Sequence, residues 1–214
     1  MKSLIVTGTD TGLGKTVVSA MLTLALDGIY WKPIQSGTQG GTDTQKVAEL
    51  TGLGPARFLP ERYVFREPVS PHRAAELDGI AIELASLDLP EIPADRWLIV
   101  EGAGGVLVPI DRATLQISLF GRWRAPVVVV ARTALGTINH SLLTLEALRR
   151  RAIDVLGIIF VGPPMPDTER TIAEFGEVKT LGRLPILPVL DADALREAFE
   201  THFHTQDFEA AYGG

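Results

Sequence analysis

Short apolar runs alternate with longer amphipathic stretches along this chain. Residues 4–7, 29–33, 97–101, 126–131 and 155–161 are rich in Val, Ile and Leu, and a weaker run follows at 180–184. Strands that are apolar on both faces lie between two layers of helices, as parallel sheets require. Residues 15–26, 44–50, 80–87, 115–123, 137–151, 167–175 and 193–199 have helical periodicity. The pattern predicts an α/β fold, a three-layer α/β/α domain around a mostly parallel central sheet. Ligands of such folds sit outside the carboxyl ends of the strands.

The first run ends in Gly8-Thr9-Asp10-Thr11-Gly12-Leu13-Gly14-Lys15-Thr16, and an apolar helix follows at once. Strand, Gly-rich turn, Gly-Lys-Thr and helix is the context in which backbone N–H groups wrap phosphates. There a lysine neutralises the β- and γ-oxygens and a threonine hydroxyl holds Mg²⁺. Five residues separate Gly8 from Gly14 where the general motif has four, so Thr9 stands where glycine is expected. The plainer alternative is a Gly-rich turn with an accidental Gly-Lys-Thr, and the strand-to-helix context argues against it.

A Mg·ATP site needs carboxylate as well as hydroxyl. Trp97-Leu98-Ile99-Val100-Glu101 supplies an apolar strand ending in an acid, followed by Gly102-Ala103-Gly104-Gly105, where missing side chains let backbone approach a ligand. A lone acid here reads equally as a solvated strand end. The second run ends in Tyr30-Trp31-Lys32-Pro33-Ile34-Gln35-Ser36-Gly37, with Asp43 at an expected helix N-cap. At the end of a strand beside the first, Lys32 can join Lys15 around the same phosphates. Taken singly, Lys32 is a surface lysine and Asp43 a simple cap.

Composition removes several classes of chemistry. The 214 residues fit one domain, 1–214, with its own core. They contain no cysteine, so disulfides, thiolate metal sites and a Cys nucleophile are excluded, as suits a reducing compartment. The formal net charge is −6, which argues against a nucleic-acid surface. No apolar run approaches the ~20 residues of a membrane span, and the opening residues lack a signal-peptide core, so a cytoplasmic protein is expected. His202 and His204 lack a third ligand and read as a solvated tail. Arg149, Arg150 and Arg151 lie where cations oppose a helix dipole.

Five motifs in order, Gly8 to Thr16, Lys32-Pro33-Ile34-Gln35-Ser36-Gly37, Ser70-Pro71-His72, Val100-Glu101-Gly102-Ala103-Gly104-Gly105 and Leu135-Gly136-Thr137-Ile138-Asn139-His140, resemble those of the dethiobiotin synthetases. The expanded phosphate loop is a habit of that family. The last third resembles it more loosely, through Leu181-Gly182-Arg183-Leu184-Pro185. The resemblance implies a P-loop nucleoside triphosphate hydrolase-like fold and an ATP-dependent ligase of biotin biosynthesis. It would carboxylate 7,8-diaminononanoate with CO₂ and close a cyclic urea through a phosphorylated carbamate.

By the same resemblance, Lys15, Lys32 and Thr11 are catalytic, and Thr16, Asp43 and Glu101 hold Mg²⁺. Gly12, Leu13, Gly14, Lys15, Thr16, Val17, Asp43, Glu101, Gly102, Ala103 and Gly104 bind the nucleotide, with Pro185, Ile186 and Leu187 packing its base. Thr11, Lys32 and Ser36 face diamine and carbamate. Gly136, Thr137, Ile138 and Asn139 open a helix, with Thr137 as expected cap, and hold the substrate's remote carboxylate from the partner subunit of a homodimer. His72 is either near the diamine or a helix-start residue.

Two departures bear on specificity. Gly12 replaces a glutamate frequent in relatives, and Gly162-Pro163-Pro164 stands where the family often has the Asn-Asp that reads adenine, so relaxed nucleotide choice is expected. Two rivals share parts of the pattern. Partition or positioning ATPases carry a signature lysine early in the loop, where this chain has Thr9-Asp10. Cobyrinate amidoligases normally carry a fused glutaminase domain, for which 214 residues leave no room.

Overall fold

A computed structural model describes residues 2–212. The strands are β1 (Lys2–Gly8), β2 (Gly28–Trp31), β3 (Ile34–Ser36), β4 (Phe58–Leu59), β5 (Tyr63–Phe65), β6 (Trp97–Gly105), β7 (Val127–Arg132), β8 (Val155–Val161) and β9 (Thr180–Leu184). Seven form one sheet in the order β4-β2-β6-β1-β7-β8-β9, and every pairing within it is parallel. β3 and β5 form a separate parallel pair, and neither they nor β4 is signalled by the apolar pattern. Their two or three residues are too few to show a period.

The helices are α1 (Lys15–Ala25), α2 (Asp43–Thr51), α3 (Pro71–Asp78), α4 (Gln116–Trp123), α5 (Thr137–Arg149), α6 (Pro166–Phe175), α7 (Ala192–His202) and α8 (Thr205–Glu209). Consecutive strand residues feed two cores, one on each face of the sheet. Ile5, Val100, Val129 and Phe160 belong to the core that holds Phe120 of α4, Leu145 of α5 and Ile172 of α6. Val6, Ile99, Val130 and Ile159 belong to the core with Met21 of α1, Leu50 of α2 and Phe199 of α7. Each such side chain contributes about 1.5–3 kcal/mol when fully buried, so the double-sided apolar runs specify the three layers.

The helix expected at 80–87 is absent. Pro71 starts α3 earlier, Gly79 ends it at φ 67°, and only a 3₁₀ turn at Leu84–Leu87 follows. No helix of the described residues is long and apolar enough to cross a membrane.

Candidate active site at the strand ends

At the carboxyl end of β1 the chain turns through Gly12 at φ 71° and Gly14 at φ 92°, left-handed values that a side chain strains to adopt. Gly14 abuts Val161 at the end of β8, where a Cβ would meet Cγ1 at 3.2 Å. α1 then starts at Lys15 with no side-chain cap and no acid in its first turn. Its first amides therefore lack the partners that caps usually provide, as an anion site requires. Lys15 is 6% exposed and its Nζ donates to the carbonyl of Asp10 at 2.9 Å. A Cβ on Gly8 would lie 2.8 Å from that carbonyl and 3.1 Å from Lys15 Nζ, so glycine is required there.

β2 and β6 place the charges. Their register pairs Tyr30 with Ile99 and Trp31 with Val100, so Lys32 comes opposite Glu101 just beyond the last pair. Lys32 Nζ lies 2.9 Å from Glu101 Oε1 and 2.7 Å from Asp43 Oδ2, and it donates to the Gly102 carbonyl at 3.3 Å. The Thr16 hydroxyl lies 3.1 Å from Glu101 Oε1 and 3.2 Å from Asp43 Oδ1. Burial alone pushes the Lys32 ammonium down, but Glu101 and Asp43 outweigh it and hold its pKa above the ordinary lysine value. At Lys15 burial wins over Glu101, and with the nearby Lys32 charge it lowers the pKa.

These groups border a cavity of about 430 Å³ that also touches Thr11, Ser36, Ala103, Gly104, Val69 and Val108. The Thr16 hydroxyl thus lies within 3.2 Å of an oxygen of each carboxylate, a donor set suited to a hard divalent cation. Among the described residues no group of three or more His, Asp or Glu side chains forms a metal cage, so the remaining oxygens would come from phosphate and water.

Some expected residues fall elsewhere. Asp43 is the first helical residue of α2, and the cap is Thr42, in a reciprocal box with Gln45. Thr137 likewise follows the true cap, Gly136, which takes φ 90° and offers no side-chain bond. Gly136, Thr137, Ile138 and Asn139 lie outside the cavity, as do Val17, Gly102, Pro185, Ile186 and Leu187. Gly102 acts through its carbonyl, and Ile186 is 73% exposed. His72 sits in the first turn of α3, its Nδ1 3.0 Å from Ser70 Oγ. Ser70 and Pro71 line the cavity.

Other supporting residues carried no assigned role in the sequence reading. The buried Gln35 amide accepts from the Asp43 backbone N–H at 3.0 Å and donates to the carbonyls of Ser36 and Gly37, tying α2 to the Lys32 loop. Gln116 accepts from the Ala103 N–H at 2.6 Å and donates to the Gly105 carbonyl at 3.1 Å, fixing the glycine segment after Glu101. Gln116 lies outside the five motifs, and Gln35 lies inside the second, which assigned it no role. A second cleft of about 450 Å³ shares Thr11 and Val108 with the first and is walled by Leu107, His140, Leu143 and Thr144.

Comparison with known proteins agrees with this geometry. Residues 2–194 match the family model described as an AAA domain. The chain is similar to the ATP-dependent dethiobiotin synthetase BioD of Rhodopseudomonas palustris strain HaA2, 56% identical over 97% of this chain and 96% of the relative. It is also similar to the protein of that name from Novosphingobium aromaticivorans, 53% identical over 97% and 100%. Among solved structures, the cell division ATPase MinD of Pyrococcus furiosus superposes with a TM-score of 0.52 at 13% identity, over 94% of this chain and 99% of that one. A chain of the MinC:MinD cell division protein complex of Aquifex aeolicus gives 0.53 at 12%, over 92% and 86%. At such identities the likeness shows the P-loop fold alone.

Proposed function

We infer the working of this site from one premise: the chain belongs to the ATP-dependent dethiobiotin synthetase family. Its activity is that of an ATP-dependent ligase forming carbon–nitrogen bonds in biotin biosynthesis. The observation that carries the mechanistic reading is the convergence of Lys15, Lys32, Thr16, Asp43 and Glu101 at the carboxyl ends of β1, β2 and β6.

The proposed substrates are 7,8-diaminononanoate, CO₂ and a nucleoside triphosphate. One amine adds to CO₂ and loses a proton, giving a carbamate. A carbamate oxygen attacks the γ-phosphorus as the bond to ADP breaks. The second amine then attacks the carbamate carbon, forms the second C–N bond, loses a proton and expels phosphate. Each intermediate is anionic and easily lost to water, so the site must supply fixed positive charge in a sheltered volume.

Lys15, Lys32 and the amides of Gly12, Leu13 and Gly14 supply that charge. Thr11 and the buried, otherwise unpartnered Ser36 hydroxyl orient diamine and carbamate. Thr16, Asp43 and Glu101 are the cation's protein ligands; bound there, Mg²⁺ neutralises charge on the phosphoryl oxygens. Pro185, Ile186 and Leu187 pack the base. Thr137, whose hydroxyl is buried without a partner, opens the helix read as the carboxylate site across a homodimer. The exposed Leu107, Leu135 and Leu143 support such an assembly. One domain, 1–214, working in the cytoplasm, completes the reading.

The test is direct. Purified protein with diaminononanoate, bicarbonate and Mg·ATP should yield dethiobiotin by mass, with ADP and phosphate. Hydrolysis of ATP without a cyclic urea would favour a switch ATPase.

A further inference from the structure

Glu101 has two oxygens, and the site described above uses one. Oε1 meets Thr16 at 3.1 Å and Lys32 at 2.9 Å. Oε2 accepts the phenolic hydroxyl of Tyr30 at 3.0 Å, and among the described residues no other side chain donates to it. Tyr30 does not border the cavity; it is fully buried in the core beneath it, with Ile99, Val47 and Leu50.

The register explains the contact. Tyr30 pairs with Ile99 on the neighbouring parallel strand, and Glu101 lies two residues further along on the same face. That step is about 6.6 Å along a strand, and the long axis of a tyrosine spans it. Glu101 is 1% exposed, so its second oxygen cannot turn to bulk water for a partner. A carboxylate held at one oxygen has one orientation, whereas a carboxylate free at both can rotate and offer either.

We propose that Tyr30 is a positioning residue of the cation site: its hydroxyl ties down Glu101 Oε2, so that Oε1 alone is presented to Thr16, Lys32 and a divalent cation. The proposal rests on the reading of Thr16, Asp43 and Glu101 as cation ligands. Groups that orient a metal's ligands in this way typically alter metal affinity 10- to 100-fold when removed. The ring is locked in the core, so the hydroxyl is fixed relative to the sheet and holds the carboxylate before any ligand arrives.

The experiment is titration of the ADP-bound protein with Mn²⁺, followed by electron paramagnetic resonance, for unaltered protein and Tyr30→Phe. Tyr30→Phe should bind Mn²⁺ on the order of 10-fold more weakly. Its ADP affinity in EDTA should be unchanged. A purely structural hydroxyl would lower the melting temperature and leave Mn²⁺ affinity alone, so Mn²⁺ binding within twofold of the unaltered protein overturns the proposal. If the unaltered protein with ADP holds no more Mn²⁺ than free ADP does, the cation reading fails and takes the proposal with it.

A second measurement needs no variant. The chain has three tyrosines. Carbon-13 labelling at their ring Cζ should show one resonance that moves when Mg²⁺ joins bound ADP, and no movement of any of the three overturns the proposal.

Discussion

Lys32 is the residue on which the site turns, because it lies between Asp43 and Glu101, the two carboxylates proposed to hold the cation. Truncating one partner of a buried ionic cluster costs about 3–5 kcal/mol, since the charges left behind lose their compensation. Lys32→Ala should therefore melt at a lower temperature and regain part of the loss in Mg²⁺. Its turnover should fall by ~10² or more with little change in ATP affinity, as expected of a group that acts on developing charge. Steady-state kinetics beside calorimetric melting checks both, and normal turnover would reduce Lys32 to a structural cation. The two lysines should also titrate apart. Lys15 is more acidic folded than unfolded, so its charge opposes folding, and that penalty disappears as pH rises through its folded pKa toward 10.5. Lys32 is less acidic folded, so its contribution is complete below 10.5 and is lost only as pH rises through its higher folded value. Lysine Cε resonances followed to high pH should show Lys15 titrating first; the reverse order would contradict the electrostatics.

Among the elements, β8 and the turn after it hold Gly162-Pro163-Pro164, which stand where the family often carries its adenine-reading residues. Gly162 takes φ 131°, and a Cβ there would lie 2.4 Å from Thr133 Oγ1, so this position offers a base only its backbone. Arg183 donates to the Gly162 carbonyl at 3.1 Å, and the Gly162 N–H donates to Leu184. With no side chain to reject a wrong base, GTP and CTP should support dethiobiotin formation with kcat/KM within about tenfold of ATP, since apolar packing discriminates weakly. Activity with ATP alone would contradict this. The long elements were legible because their signals are redundant: β1, β7 and β8 carry the unbroken apolar runs Leu4–Val6, Val127–Ala131 and Ile158–Val161, and the phosphate loop sits where strand meets helix. β3, β4 and β5 were not, being two or three residues long and held by pairing the sequence does not display. The segment 80–87 misled because Ile80, Ile82, Leu84 and Leu87 mimic a helical stripe, while Gly79 had already stopped the chain. Tyr30 reaches Glu101 from a strand distant in sequence, while Gln35 and Gln116 act through backbone groups of nearby loops, and no hydrophobic period announces such contacts.

At the scale of the whole molecule, a net charge of −6 hides a small region where cations and unpaired helix amides are gathered. The parallel sheet makes this possible, because it brings the ends of β1, β2 and β6 together at one edge of the molecule. The second cleft continues from that region at Thr11 to Leu107 and Leu143, which are 48% and 56% exposed. On the homodimer reading this apolar wall is covered by a second copy. Sedimentation velocity should give a dimer, and Leu143→Asp should give monomers with weakened diamine binding; a monomeric unaltered protein at full activity would rule that reading out. The account as a whole is tested most directly by a crystal structure with a non-hydrolysable ATP analogue, Mg²⁺ and the diamine carbamate bound. It predicts that the Lys32 ammonium leaves Asp43 for the carbamate while Thr16, Asp43 and Glu101 surround the cation. A filled site in which Lys32 still bridges Asp43 and Glu101, with the cation held elsewhere, would contradict it.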